Sequence, residues 1–235
     1  MVDMGSLGRL WSDPQELPPE PRATQARILR HGIEIFGRRG FGGASVREIA
    51  AAAGVTPPLI GYHFGNKEGL FCRCVETVTD SFVGSVDAML DERPSLCELA
   101  RSYARLNVRF AREYPEAVRM FLLATYGPED GQPSCAHMVQ HWVRIWKRIS
   151  ESFESAVADG SFVPRPGVTV PSLVNHFFNV VHLELYNRHE RDRFAEQLRE
   201  LILPDLDVDE AADEMVEQFF GGAGRLVSDS TEADS

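Results

Sequence analysis

Several features that mark other protein classes are missing from this sequence of 235 residues. No apolar run approaches the length of a membrane span, and the N-terminus lacks the basic start and apolar core of a signal peptide. The four cysteines, Cys72, Cys74, Cys97 and Cys135, show neither a disulfide framework nor the spacing of a zinc site. We therefore expect a reduced, cytoplasmic protein without metal or cofactor, and redox sensing by Cys72 or Cys74 stays open.

The motifs of common enzyme classes are absent as well. The sequence contains no Gly-rich phosphate loop ending in Lys-Ser or Lys-Thr, no G-x-S-x-G and no H-E-x-x-H. The glycines at positions 37, 40, 42 and 43 follow no predicted strand, so they do not form a dinucleotide-binding fingerprint. We therefore expect a protein that is not an enzyme.

Apolar residues recur at helical spacing along most of the chain, and no stretch alternates as a strand does. This pattern predicts an all-α fold of about nine helices. Residues 1–21 are rich in proline and are expected to form a flexible arm. We expect a helix-turn-helix head at 22–68, a larger helical domain at 69–226 and a flexible tail at 227–235.

The stretch from residue 22 to residue 71 carries the strongest signal. Three short helical patterns and the start of a fourth are separated by two tight turns, and Gly54 in the second turn suits a left-handed C-cap. Ser45 stands three residues before Glu48, which is the capping-box spacing, and Pro57 stands at a favoured first helical position. This order is typical of a helix-turn-helix, whose second helix can enter a DNA major groove. The expected N-caps are Thr24, Ser45, Thr56 and Asn66.

The charge of this stretch differs from that of the whole chain. Residues 22–68 contain seven basic and three acidic side chains, whereas the complete chain has a formal net charge of -11. A basic segment in an acidic chain favours a segment that meets a polyanion, because phosphate contacts depend on the local patch. An unevenly charged solvated surface is the alternative explanation.

The same stretch resembles the TetR family of bacterial transcriptional regulators. The matching segments are Ile28-Leu29 with Phe36, Gly40-Phe41, residues 45–50, Ala53-Gly54-Val55 and residues 62–70. Many members carry Ser-Lys-Gly-Thr-Leu-Tyr at the start of the recognition helix, where this chain has Thr56-Pro57-Pro58-Leu59-Ile60-Gly61. The resemblance therefore implies the mode of docking on DNA but not the operator sequence.

The family pose assigns roles on DNA to the side chains of the head. Arg47 is the candidate for reading a guanine edge, and Pro57 and Pro58 can offer only apolar contact, for example to a thymine methyl group. Gly61 lets the DNA backbone approach closely. Hydroxyl, phenol, imidazole and ammonium groups near helix ends suit phosphate. The expected phosphate contacts are Ser45, Thr56, Tyr62, His63 and Lys67.

Two aromatic residues of the head have core packing as an alternative role. We assign Phe64 to the core of the small head and Tyr62 to the DNA-facing surface.

A helical adaptor that has lost DNA binding is a further alternative for the function of the protein. The presence of Tyr62, His63 and Lys67 argues against it.

In the family, the larger domain binds an inducer and dimerises through its last two long helices. The resemblance therefore implies a homodimer on a palindromic, double-stranded operator, acting as a repressor that a small molecule releases. Apolar residues on the eighth and ninth helices could form the interface or could pack inside the chain. They are Val174, Phe178, Val181, Leu185, Met215 and Phe219.

Polar residues on otherwise apolar helices are the clues to an inducer pocket. His137 and His141 also have metal-ligand spacing, but without a nearby carboxylate this is weak evidence for a metal. The abundance of Phe, Trp and Met favours an apolar or aromatic ligand. The candidate pocket residues are Tyr103, Asn107, His141, Trp142, Asn175, Asn179 and His182, with Tyr186 on the same predicted face of its helix as the last three.

Overall fold

A computed structural model describes residues 22–126, 133–190 and 207–227. Within these ranges the chain forms nine α-helices and one sheet of two short strands, which confirms the all-α class. The predicted arm at 1–21, a helical appendage expected at 191–203 and the tail beyond residue 227 lie outside the described residues. Among the described helices, none combines the length and the apolar character needed to cross a membrane.

Three helices make up the N-terminal head. Helix α1 covers Arg22–Gly43, α2 covers Val46–Ala53 and α3 covers Pro57–Phe64. Helix α1 is interrupted at Gly40, whose φ of 68° lies in the left-handed region. The cap predicted at Thr24 is wrong, because the chain is already helical at Arg22 and the Thr24 hydroxyl instead accepts a hydrogen bond from Arg27 Nη2 at 3.0 Å.

Six further helices follow the head. Their bounds are α4 Lys67–Asp91, α5 Leu96–Glu113, α6 Pro115–Tyr126, α7 Ala136–Ala158, α8 Val170–Glu190 and α9 Val208–Ala223. Asn66 caps α4 as predicted, since its Oδ1 accepts a hydrogen bond from the Gly69 N–H at 2.8 Å. The strands β1 (Phe162–Pro164) and β2 (Gly224–Leu226) pair antiparallel, with Phe162 opposite Leu226. No sequence pattern indicated these strands, because three residues are too few to show an alternation.

The chain divides into two compact units with limits that differ from the head and the larger domain. Among the described residues, the first unit contains 22–86, 110–126 and 133–143, and the second contains 87–109, 144–190 and 207–227. The predicted boundary between the helix-turn-helix head and the larger domain, at residues 68 and 69, separates two functions and not two compact units. It stays a prediction.

An aromatic cluster and a close helix contact organise the first unit. The ring of Phe71 on α4 meets the rings of Phe36 and Phe41 on α1 edge-on, with centroids 5.1 and 5.2 Å apart. Gly37 on α1 packs directly on the backbone of Glu116 on α6, and a β-carbon at Gly37 would overlap that backbone. Helix α6 therefore supports α1, the first of the three helices of the head.

The first unit also corrects the expectation for the cysteines. Cys72 on α4 and Cys135, directly before α7, form a disulfide with their Cα atoms 5.3 Å apart. Sequence spacing could not reveal this pair, because its members are 63 residues apart and only the packing of α4 beside the start of α7 brings them together.

The second unit has an aromatic core closed by ion pairs. Phe153 on α7, Phe177 on α8 and Phe219 on α9 meet with ring centroids 5.3 to 6.1 Å apart. At its surface Arg105 on α5 pairs with Asp209 on α9 at 2.6 Å. The second unit thus buries the inward faces of four helices around one cluster of rings.

Candidate nucleic-acid interface

Ser45 fixes the start of α2. Its backbone is extended and its Oγ accepts a hydrogen bond from the Glu48 N–H at 3.1 Å, as the capping-box spacing predicted. The Glu48 carboxylate instead forms an ion pair with Arg39 at 3.1 Å. Because the Ser45 oxygen acts as the acceptor within the cap, the hydroxyl hydrogen remains available for an oxygen acceptor such as a phosphate.

The turn between α2 and α3 follows the sequence prediction in its backbone. Gly54 takes the left-handed conformation (φ 66°, ψ 34°), and its N–H bonds back to the carbonyls of Ala50 and Ala51. Pro57 opens α3 at its first position. Thr56 occupies the N-cap position, but its side chain makes no capping hydrogen bond, so the predicted hydroxyl cap is wrong. The proline ring removes one N–H from the first turn, which lessens the need for such a cap.

One side of the α2–α3 pair is buried and the other side faces solvent. Ile49 and Ile60 are fully buried and hold the two helices together. On the outer side the Tyr62 side chain is 82% exposed, which supports a surface role for this large aromatic residue. Phe64 is only half-buried, so it lines the edge of the head rather than its centre. The exposed candidates are Ser45, Arg47, Thr56, Pro57, Pro58, Gly61 and Tyr62.

His63 and Lys67 are half-buried, and each contacts a residue of α1 to which the sequence assigned no such role. The Gln25 Nε2 amide on α1 lies 3.2 Å from His63 Nδ1, and an amide nitrogen can only donate. The ring hydrogen then sits on Nε2, where it can be donated to a phosphate oxygen. The Lys67 ammonium lies 4.4 Å from the centroid of the Phe41 ring. No local pattern could have identified Gln25, because it is 38 residues from His63 in the sequence.

Ion pairs neutralise several of the basic residues counted in the head. Arg30 pairs with Glu34 at 3.3 Å, and Arg38 pairs with Glu116 at 3.2 Å. Arg47 is exposed on the outer side of α2 and, among the residues that the structure describes, has no ion-pair partner. The positive charge directed toward solvent is therefore concentrated on fewer side chains than the composition suggested.

The candidate pocket residues lie in three different settings. Tyr103 and His182 are buried in the second unit, with the phenol oxygen 3.3 Å from His182 Nε2, and the buried Asn107 donates to the Tyr103 carbonyl at 2.8 Å. Asn175 and Asn179 are exposed, so they do not share an enclosed face with His182. The side chain of Tyr186 lies outside the described residues.

His141 and Trp142 belong to the first unit. His141 Nε2 lies 3.0 Å from an Asp80 carboxylate oxygen, and the Trp142 ring lies 5.7 Å from that of Phe121. The side chain of His137 lies outside the described residues. Among the described residues no group of three or more His, Cys, Asp or Glu side chains could hold a metal ion.

The candidate interface residues are core residues of the single chain. Val174, Phe178, Val181, Met215 and Phe219 are all buried, and the Phe178 ring stacks on Trp146 with centroids 5.5 Å apart. They face inward because α7 and α5 cover the apolar sides of α8 and α9, so packing within the chain accounts for their apolar character. The side chain of Leu185 lies outside the described residues.

A capped helix, a left-handed glycine turn and a short second helix with an exposed face define a helix-turn-helix protein. The family model described as "Bacterial regulatory proteins, tetR family" matches residues 28–74. This match to the N-terminal part of the chain confirms the resemblance found in the sequence.

Curated relatives match over less than half of the chain. The HTH-type transcriptional regulator RutR of Escherichia coli K12 is 29% identical over 101 residues, which are 43% of this chain and 47% of RutR. The regulatory protein RaaS of Mycobacterium tuberculosis is 42% identical over 94 residues, which are 38% of this chain and 44% of RaaS. The chain thus spans about half the length of the curated relatives it matches.

Solved structures share the fold over a longer range. The structure of AibR in complex with isovaleryl coenzyme A and operator DNA is 23% identical, covers 85% of this chain and 98% of its own, and gives a TM-score of 0.65. FadR from Bacillus subtilis in complex with stearoyl-CoA is 12% identical, covers 84% of this chain and 98% of its own, and gives a TM-score of 0.67. At these identities the likeness establishes the fold alone.

Proposed function

We propose that this protein is a sequence-specific DNA-binding transcriptional regulator of the cytoplasm and not an enzyme. Its exposed recognition surface carries the proposal. Arg47, Gly61 and Tyr62 face solvent on two helices that Ile49 and Ile60 lock together from the buried side. A polar and basic face on a short, rigid helix pair fits the major groove of duplex DNA.

The proposed contacts are of two kinds: some position the head on the DNA backbone, and others read the edges of bases. Ser45, Tyr62, His63 and Lys67 would donate to phosphate oxygens and so fix the head on the duplex. Arg47 would read a guanine edge through its two parallel N–H groups. Thr56 would add a hydroxyl contact, and the exposed rings of Pro57 and Pro58 would contact a thymine methyl.

We further propose a homodimer that represses from a palindromic operator and is released by a small molecule with an apolar portion. One short recognition helix reads few base pairs, so two-fold pairing doubles the contacts. The relatives' names include a transcriptional repressor, BdcR of Escherichia coli K12. AibR and FadR were solved with acyl-CoA molecules, which makes isovaleryl-CoA and stearoyl-CoA reasonable first inducers to test.

Release follows from linkage between the two ligands. An inducer that binds better to a dimer with wrongly spaced heads must weaken operator binding by the same factor. Helix α4 runs without interruption from Lys67, next to α3, to Asp91, so it is the element through which we expect this coupling to act.

Selection of bound sequences from random DNA tests the proposal. We expect enrichment of a palindrome, and Arg47→Ala should relax the preference at one position per half-site at a cost of about 1–3 kcal/mol. If Arg47→Ala weakens every position equally, Arg47 contacts only phosphate. Failure to enrich any sequence, together with DNA binding that does not respond to salt, would refute the proposed function.

A further inference from the structure

The disulfide between Cys72 and Cys135 joins two helices of the first unit. Cys72 lies in the second turn of α4 and Cys135 directly precedes the first turn of α7. Their Cα separation of 5.3 Å lies within the usual range for disulfides. Two thiols at these positions therefore need no backbone movement to become bonded.

A surface cleft gives small molecules access to this pair. The cleft has a volume of about 360 Å³ and is lined by Gly69, Cys72, Arg73, Ser134 and Cys135, among others. Cys72 is half-buried and Cys135 is buried. The Cys72 sulfur is therefore the easier of the two to reach from solvent.

The other two cysteines do not share these properties. Cys74 is completely buried, with its sulfur 3.8 Å from the Leu29 carbonyl oxygen, and burial raises its pKa far above the ordinary value of a thiol. A thiol that stays protonated is a poor nucleophile. Cys97 is half-buried and belongs to the second unit, so it serves as a control for a thiol outside the pair.

The turn of α4 that carries Cys72 is also the turn that positions the end of α3. Gly69 packs directly on the Phe64 carbonyl, and a β-carbon at Gly69 would overlap that oxygen. One residue earlier than Cys72, Phe71 contacts Phe41 in the aromatic cluster of α1. A covalent bond at Cys72 therefore restrains the same turn that holds the proposed recognition helix.

We propose that Cys72 and Cys135 are a reversible dithiol site for hydroperoxides, and that its oxidation state changes the affinity for operator DNA. The second half of this inference rests on the proposed function. A protein that acts on bacterial DNA works in a reducing compartment, where disulfides are usually transient and catalytic or redox-sensing. A permanent structural disulfide does not fit that setting, whereas a reversible one does.

The oxidation takes place in two balanced steps. The Cys72 thiolate attacks one oxygen of the hydroperoxide, the O–O bond breaks, and Cys72 becomes a sulfenic acid while the second oxygen leaves as water or an alcohol. The Cys135 thiolate then attacks the Cys72 sulfur, the S–S bond forms, and the sulfenic oxygen leaves as water. Two thiols are oxidised and one peroxide is reduced. A dithiol reductant reverses the change by exchange through a mixed disulfide.

Thiol counting with hydrogen peroxide tests the site without reference to DNA. The fully reduced chain has four thiols, and stoichiometric peroxide should remove the two at Cys72 and Cys135. The Cys97→Ser control should lose the same pair, whereas Cys72→Ser should form no intramolecular disulfide. In Cys135→Ser a sulfenic acid should accumulate on Cys72 and be trapped by dimedone. If both thiols remain reduced, the proposed site is refuted. The same holds if the disulfide forms at the same rate with and without peroxide.

Operator affinity measured on the oxidised and the reduced protein tests the regulation. We expect the two dissociation constants to differ by at least threefold in wild type and in Cys97→Ser, and not in Cys72→Ser. By reciprocity, saturating operator should shift the thiol–disulfide equilibrium in a glutathione buffer by the same factor. Equal affinities in both states would overturn the regulation while leaving the proposed function intact. Absence of operator binding in both states would instead refute the proposed function and leave the dithiol chemistry to be judged by thiol counting.

Discussion

Gly61 lies on the exposed side of α3, and a β-carbon added there would meet no atom within 4 Å. Gly61→Ala should therefore raise the free energy of unfolding by about 0.5–1 kcal/mol, because alanine is the better helix former. If the DNA backbone approaches Gly61 closely, the same methyl group should weaken operator binding. Urea unfolding and operator titration measure the two effects separately.

Gly84 supplies the matched control for Gly61. It lies within α4, and a β-carbon there would also meet nothing within 4 Å. Gly84→Ala should give a similar gain in stability with unchanged operator affinity. Unchanged affinity in Gly61→Ala as well would show that DNA does not approach α3 at this position.

Lys67 is held over the Phe41 ring, next to the end of α3. Lys67→Ala should weaken binding to all DNA sequences alike and reduce the slope of log affinity against log salt by about one. The control is Lys147→Ala, an exposed lysine on α7 outside the head. Equal slopes for Lys67→Ala and wild type would remove the phosphate role of Lys67.

Burial lowers the pKa of His182 to about 4. Between the ordinary value of about 6.5 and pH 4, the unfolded chain binds a proton at this position that the folded chain does not. The free energy of unfolding should thus fall as the pH drops through this window, by about 3 kcal/mol in total from this residue. The test compares unfolding at several pH values for wild type and His182→Gln, which cannot titrate. A variant that loses stability as steeply as wild type would contradict the assignment.

At the scale of elements, the contact between α1 and α6 is the most sensitive to volume. Gly37 packs on the Glu116 backbone, which cannot move aside as a flexible side chain can. Gly37→Ala should lower the free energy of unfolding by about 1–3 kcal/mol, even though alanine is favoured in a helix. Gly84→Ala again serves as the control and should have the opposite sign. A stabilised Gly37→Ala would show that α6 does not support α1 in this way.

Because Phe219 is buried within the chain, a charge at that position tests the folding of the second unit and not the dimer interface. It is 1% exposed among the rings of α7 and α8, so Phe219→Glu should unfold the second unit rather than separate protomers. An interface between copies needs residues on the outer sides of α8 and α9 instead. Among the side chains of α8 and α9 that the structure describes, Leu183 is the exposed large apolar one, and it is 61% exposed.

At the scale of the whole molecule, we predict a dimer that uses the outer side of α8. Leu183→Glu should give folded monomers in sedimentation experiments, because it places a charge in a surface that a partner covers. Val143→Glu, an exposed valine on α7, should remain dimeric. Dimers that survive Leu183→Glu, or a wild type that is monomeric, would contradict this arrangement.

The sequence by itself determined the elements that depend on neighbours in the chain. The Ser45 cap, the left-handed Gly54, Pro57 at the start of α3 and the Asn66 cap all agree with the structure, because caps and turns involve residues a few positions apart. The all-α class followed in the same way from helical periodicity.

Only the tertiary structure decided which residues from distant parts of the chain meet. It placed Gln25 beside His63 and Cys72 beside Cys135, and it buried Phe178 and Phe219 within the chain. An apolar helical face has the same sequence pattern whether its own chain or a second copy covers it. Contacts of this kind depend on how helices pack, and periodicity along one helix carries no information about which other helix lies against it.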